Sequence, residues 1–159
     1  MYRLEQMTDA YAEEINTWKY PTPYEQYSFA GDEAELEQIC CGYYFAVVSE
    51  EDNALAGFFC LGPAAQKICD ENEAIFDDER YTDIAFGLRP ELTGKGLGEQ
   101  FVKDCIKGTK EFFPEDGIRL CVMKENKRAL RLYEKMHFVS VFENETFHVM
   151  VLQEGEEVV

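Results

Sequence analysis

Along Tyr81-Thr82-Asp83-Ile84-Ala85-Phe86-Gly87-Leu88 apolar and polar positions alternate, with Ile84, Phe86 and Leu88 on one face and Asp83, Ala85 and Gly87 on the other. That period of two predicts a strand, and Pro90, which has no N–H to donate, ends its pairing. After a glycine-rich turn, Phe101, Val102, Cys105 and Ile106 recur at helical spacing among Lys103, Asp104 and Lys107. The period has changed to 3.6, which predicts a helix over Gln100–Phe113 closed by Pro114. Asp116-Gly117 turns the chain into a strand over Ile118–Val122, and Asn126–Met136 reads as a helix with Ala129, Leu130, Leu132, Tyr133 and Met136 inward. The chain closes as a hairpin, Phe138–Phe142 and Phe147–Leu152 around Glu143–Glu145, with Gly155–Glu157 as a frayed acidic tail.

Upstream the pattern gives a first strand over Tyr2–Met7 and a helix through Ala10–Thr17 capped by Thr8 or Asp9. A short acidic helix follows at Glu33–Gln38, then a strand pair, Tyr43–Val48 and Leu55–Leu61, around Glu50–Asn53. Pro21 and Pro23 break the aromatic segment Trp18, Tyr20, Tyr24, Tyr27 and Phe29. Residues 62–79 read as one long loop rich in Asp and Glu, which either is functional or is simply solvated. Strands alternating with helices, one crossover helix and an antiparallel hairpin make the fold class α/β with a mixed sheet. No linker or repeat divides it, so a single domain over residues 1–159 is expected.

The turn between strand and helix carries three glycines at alternate positions, Thr93-Gly94-Lys95-Gly96-Leu97-Gly98. Such a turn leaves the first helix amides unpaired at the positive end of the dipole. Glycine allows φ > 0 and close approach to the backbone. The outcome is a cradle for a phosphate or pyrophosphate, or else a tight connection with no ligand. The P-loop pattern fails because no Ser or Thr follows Lys95, and the dinucleotide fingerprint fails because Glu99 stands where its third glycine belongs.

Composition narrows the field. The chain has 46% hydrophobic and 14% aromatic residues, which suits a packed domain. A net charge of −17 argues against a nucleic-acid binder, whose phosphates demand a basic footprint. The stretch Arg89–Lys135 differs, holding eleven of the fifteen basic residues against eight of the thirty-two acids, a net of +3. An anionic ligand meets less repulsion there, and the acidic remainder favours a cationic amine over an acidic substrate. The six cysteines form no C-x-x-C pair and neither histidine stands at ligand spacing, so no metal, no disulfide framework and no catalytic thiolate is expected. No leader or membrane-length apolar run is present, so no membrane association is expected and the protein reads as soluble and cytoplasmic.

Two segments together carry a family likeness. Leu88–Gly98 matches the pyrophosphate loop Q/R-x-x-G-x-G/A of the GNAT acyl-CoA N-acyltransferases, with Gly96 and Gly98 at its glycines. Asn126-Lys127-Arg128-Ala129-Leu130-Arg131-Leu132-Tyr133-Glu134-Lys135-Met136-His137-Phe138 resembles their N-x-x-A-x-x-x-Y-x-x-x-G-F segment. Thr93 stands where that family usually has Arg or Gln, as in a bacterial branch with a Thr-Gly-x-Gly-x-Gly loop. His137 replaces the usual left-handed glycine before Phe138.

The resemblance implies a GNAT-like fold whose central mixed sheet is splayed between two parallel strands and flanked by helices. It implies acetyl-CoA as cosubstrate and acetyl transfer by direct attack of a primary amine, from a small molecule or a protein. The pantetheine arm would bond main chain at Phe86, Gly87 and Leu88, and the diphosphate would lie on Thr93, Gly94, Lys95, Gly96, Leu97 and Gly98. Asn126 would add a hydrogen bond to the cosubstrate, although it equally suits a helix N-cap. Tyr133 would protonate the departing thiolate, the alternative being a merely packed tyrosine. For the proton acceptor, Asp83 at the start of the central strand is one reading and a turn residue the other, with Glu73 second. The aromatics near Trp18 would either wall the acceptor site or pack on the core. A catalytically silent acyl-CoA sensor or an assembly protein on the same fold remains the competing function, and the edge of the terminal hairpin offers a route to a homodimer.

Overall fold

The computed structural model describes residues 1–67, 69–70 and 72–153, so the predicted tail at Gly155–Glu157 lies outside the described residues. Seven strands form a mixed sheet in the order β1-β2-β3-β4-β5-β7-β6. They are β1 Tyr2–Gln6, β2 Tyr44–Ser49, β3 Leu55–Leu61, β4 Tyr81–Leu88, β5 Gly117–Met123, β6 Phe138–Glu143 and β7 Phe147–Leu152. The helices are α1 Asp9–Ile15, α2 Glu33–Ile39, α3 Pro63–Gln66, α4 Gly98–Phe112 and α5 Lys127–Lys135. The expected mixed sheet flanked by helices is what forms. By contacts the chain divides into two compact units, Met1–Cys60 with Phe86–Thr109, and Leu61–Ala85 with Lys110–Val159.

In the first unit β1 pairs antiparallel with β2, and β2 with β3. All seven positions of β3 are buried, as a strand covered on both faces requires. One cover is the cluster in which Ala12 and Ile15 from α1, Ile39 from α2, Trp18 and Phe29 pack with Phe58 of β3. The other is α4, reached by the opposite set of side chains. The Tyr2 ring meets Phe101 edge-on at 5.5 Å, and a Cβ on Gly57 would fall 2.6 Å from the Phe101 ring. Thr8 caps α1 by accepting from the Tyr11 amide, as expected. Asp32 caps α2 in the same way through Glu35.

In the second unit β4 runs parallel to β5 over three pairs, Tyr81–Gly117, Thr82–Ile118 and Asp83–Arg119. β5 then pairs antiparallel with β7, and β7 with β6, whose register shifts between Ser140 and Phe142. The segment read as one loop over 62–79 is partly built. It contains α3, started by Gly62 with Pro63 in its first turn, and a 3-10 turn at Ala74–Asp77 that buries Phe76. Four-residue pieces leave no periodicity for a sequence pattern to detect. His137 adopts φ 74° after α5, the left-handed C-terminal turn expected of a residue in a glycine's place.

Candidate active site

The glycine turn belongs to the first unit. After β4, Pro90–Leu92 makes a 3-10 turn and Thr93 is extended. Gly94 and Gly96 then take φ of 73° and 77°, conformations that cost a side-chain-bearing residue about 1–2 kcal/mol. Among the described residues no acceptor takes the backbone N–H of Gly94, Lys95, Gly96 or Leu97, while the Phe101 amide already bonds Leu97 in the first turn of α4. A Cβ on Gly96 would meet nothing within 4 Å, so packing within the chain does not require a glycine there. Positive φ and unspent donors at the head of a fifteen-residue helix are what an anionic oxygen needs. The residues present therefore fit a diphosphate.

Thr93 is placed differently from its expected role. Its hydroxyl donates to the Pro90 carbonyl at 2.7 Å and its amide reaches the same oxygen at 3.2 Å. Both donors hold the 3-10 turn, and neither is offered to a ligand. Gly87 too has an internal reason: a Cβ there would lie 2.0 Å from the Phe58 ring, so an aromatic side chain fills the close approach. The Leu88 carbonyl accepts from the Tyr20 hydroxyl at 2.6 Å, and burial raises the Tyr20 pKa well above its usual value. Next to it the Arg89 guanidinium pairs with Glu14, donates to the Leu55 carbonyl and lies 5.3 Å over the Trp18 ring. Tyr20, Trp18 and Phe29 thus fix the end of β4 and the core, as the packing reading had it. Tyr24 and Tyr27 remain partly exposed, their rings 6.5 Å apart.

Asp83, Glu73, Asn126 and Tyr133 lie in the second unit. The Asn126 side chain accepts from the Ala129 amide at 3.2 Å and caps α5. Tyr133 sits two turns along α5, half-buried, its ring 5.7 Å from Phe138. No residue of α5 is fully buried, so its apolar side is only partly covered. Glu73 is the residue before the 3-10 turn at Ala74–Asp77.

Asp83 has a full set of partners. Its Oδ1 takes the Arg119 Nε at 2.6 Å and its Oδ2 takes Arg119 Nη2 and Gln66 Nε2, both at 2.8 Å. Asp83 is 4% exposed and Arg119 2%. A carboxylate engaged by both oxygens in a buried, forked ion pair is poorly placed to collect a proton from an arriving amine. The geometry ties Asp83 to structure. Sequence reading missed Arg119 and Gln66. A lone arginine inside the apolar run Ile118–Val122 was the available signal, because a charge buried in a strand needs a partner.

Three cysteines away from the surface, Cys60, Cys105 and Cys121, have thiols raised above their usual range. Burial pushes the Cys60 thiol up to about 12 and the Cys105 thiol well up. The Cys121 thiol is raised first by its hydrogen bond with Cys69 and then by burial. Among the described residues no group of three or more His, Cys, Asp or Glu side chains is placed to hold a metal ion, and no helix is long and apolar enough to cross a membrane.

Comparison with known proteins accords with this geometry. Acetyltransferase PseH of Campylobacter jejuni is 30% identical over 71 residues, and the alignment spans 45% of either chain, under half the length of that relative. The crystal structure of Campylobacter jejuni N-acetyltransferase PseH in complex with acetyl coenzyme A aligns with a TM-score of 0.64 at 17% identity, covering 98% of this chain and all of that one. A chimera of the spermidine N-acetyltransferase SpeG from Vibrio cholerae with hSSAT aligns at 0.67 and 20% identity, covering 99% of this chain and 98% of its own. Likenesses at this identity establish a shared fold alone. The model of the Acetyltransferase (GNAT) family matches residues 5–138, through both units and both signature segments, and the chain belongs to that family.

Proposed function

We propose that the protein is an acetyl-CoA-dependent N-acetyltransferase acting on a primary amine, with the whole chain serving as one catalytic domain. The observation that carries this reading is the glycine turn, with Gly94 and Gly96 at positive φ and the amides of Gly94–Leu97 unspent at the start of α4. The thioester supplies an activated acyl group, so the residues need only bind, orient and move protons. The turn holds the diphosphate through main-chain N–H groups, and Gly98 lets α4 begin close to it. Main chain at Phe86–Leu88 serves the pantetheine arm, with less acceptor capacity at Leu88 because Tyr20 uses its carbonyl. Asn126 both caps α5 and serves the cosubstrate. Tyr133 provides the proton for the departing thiolate, and the tetrahedral oxyanion is met by N–H donors.

The amine must arrive neutral or lose its proton to water, since Asp83 is committed to Arg119 and Gln66. A small cationic amine is the favoured acceptor. Outside Arg89–Lys135 the chain is strongly acidic, which attracts polyamine-like cations at low salt. The spermidine N-acetyltransferase of the same fold makes spermidine the first compound to try. The test is thiol release from acetyl-CoA across a panel of amines, with Tyr133→Phe as control. Amine-dependent release that falls in the variant supports the proposal. Tight CoA binding with no transfer to any amine, unchanged by Tyr133→Phe, would establish the silent sensor instead.

A further inference from the structure

Arg119 stands on the last pair of the parallel ladder, opposite Asp83. Beyond that pair β4 runs on to Leu88 and β5 to Met123. All five guanidinium donors are spent. Two hold the Asp83 carboxylate, and the rest reach the carbonyls of Ile75 at 2.8 Å, Asp78 at 3.1 Å and Phe76 at 3.3 Å. Phe76 and Tyr81 lie against the guanidinium, each ring centroid 5.4 Å away. Gln66 of α3 closes the other side of the carboxylate, and the Asp83 carbonyl takes the Gly62 amide at 3.0 Å. One buried group thus joins the end of the ladder, α3 and the turn at Ala74–Asp77.

A buried ion pair of this kind is a weak source of stability, because apolar residues of equal volume often do as well, but it fixes geometry through its fork. The fork demands coplanar partners on both strands at one register. Lysine, a point charge on a flexible stem, cannot supply it. We propose that Arg119 and Asp83 are positioning residues that fix the register at which the parallel ladder of β4 with β5 ends, and that affinity for the acyl donor depends on that register. The inference rests on the acetyl-CoA reading above and gives Asp83 a role other than proton acceptor.

The experiment measures CoA affinity by calorimetry and backbone hydrogen exchange in wild type, Arg119→Lys, Asp83→Asn and Gln66→Met. Steady-state KM for acetyl-CoA and kcat are followed with spermidine as acceptor probe. Arg119→Lys and Asp83→Asn are expected to weaken CoA about tenfold and raise KM for acetyl-CoA in step, with a pH–rate profile of unchanged shape. Exchange should rise together at Ile75–Asp78 and Leu120–Val122. Gln66→Met removes one hydrogen bond and should weaken CoA about threefold, which keeps the test alive if the pair variants fail to fold. A purely structural role would lower the melting temperature and leave CoA affinity of the folded protein untouched, and that result overturns the proposal. So does an Asp83→Asn variant of full CoA affinity whose pH–rate profile changes shape, which would restore it as a proton acceptor. Wild type that does not bind CoA defeats the functional reading itself and the positioning role with it, and is separate from the case where wild type binds and the variants match it.

Discussion

α4 and α5 hold like places in the chain and begin differently. Each follows a strand of the sheet, and each begins within one of the two family segments. At α5 the chain satisfies its own helix start, Asn126 accepting from the Ala129 amide, as Thr8 and Asp32 do for α1 and α2. At α4, among the described residues, no acceptor takes the amides of Gly94–Leu97, and Gly94 and Gly96 hold φ of 73° and 77°. A capped N-terminus is complete without a ligand. An uncapped one at a long helix carries partial positive charge and donors that water or a ligand can take. On the proposed function, binding would fall to the start of α4, and α5 would contribute through a side chain two turns along, Tyr133.

That division is tested most sharply at Tyr133. Tyr133→Phe keeps the ring that packs on Phe138 and removes only the hydroxyl. If α5 acts by proton donation, kcat falls about 100-fold while CoA affinity by calorimetry stays within about twofold. A variant that loses affinity and keeps turnover would reverse the roles of the two helices.

Glycines give a second comparison within the first unit. At Gly87 a Cβ would enter the Phe58 ring at 2.0 Å, so Gly87→Ala overpacks the core and should cost about 1–3 kcal/mol in urea unfolding. At Gly96 a Cβ finds open space and the constraint is φ alone. Gly96→Val should cost about 1–2 kcal/mol of local strain, which shows as about a tenfold weaker CoA dissociation constant with little change in the unfolding midpoint if the strained turn relaxes. Equal loss of stability at both sites would mean the α4 turn is glycine-rich for packing.

Both turns were legible because their residue types carry a local conformational signal. Gly94-x-Gly96-x-Gly98 between a period of two and a period of 3.6 specifies a strand–turn–helix before any contact is known. Asn126 before a helical pattern specifies a cap, and His137 in a glycine's place specified a left-handed turn. What stayed hidden depends on contacts distant in sequence. Asp83 at the head of a strand looks the same whether it meets an amine or Arg119, thirty-six residues on. Thr93 reads as a phosphate ligand until the Pro90 carbonyl takes both its donors. The need for glycine at position 87 depends on Phe58 of another strand. α3 and the turn at Ala74–Asp77 are too short for periodicity; Arg119 holds the turn through carbonyls that any residue possesses, and Gln66 ties α3 to Asp83.

The smallest effect separates the two parts proposed for Asn126. As a cap alone its loss is a matter of stability: Asn126→Ala should cost about 1 kcal/mol, and Asn126→Asp, which keeps an acceptor for the Ala129 amide, should restore it. Aspartate cannot donate as the asparagine amide can, and its charge opposes an anionic cosubstrate. If Asn126 also serves the cosubstrate, Asn126→Asp recovers the melting temperature yet binds CoA several-fold more weakly than wild type, and more weakly than Asn126→Ala corrected for folding. Recovery of both properties in the aspartate variant would make α5 a helix whose N-terminus is wholly internal, and would leave recognition of the diphosphate end of CoA to the glycine turn alone.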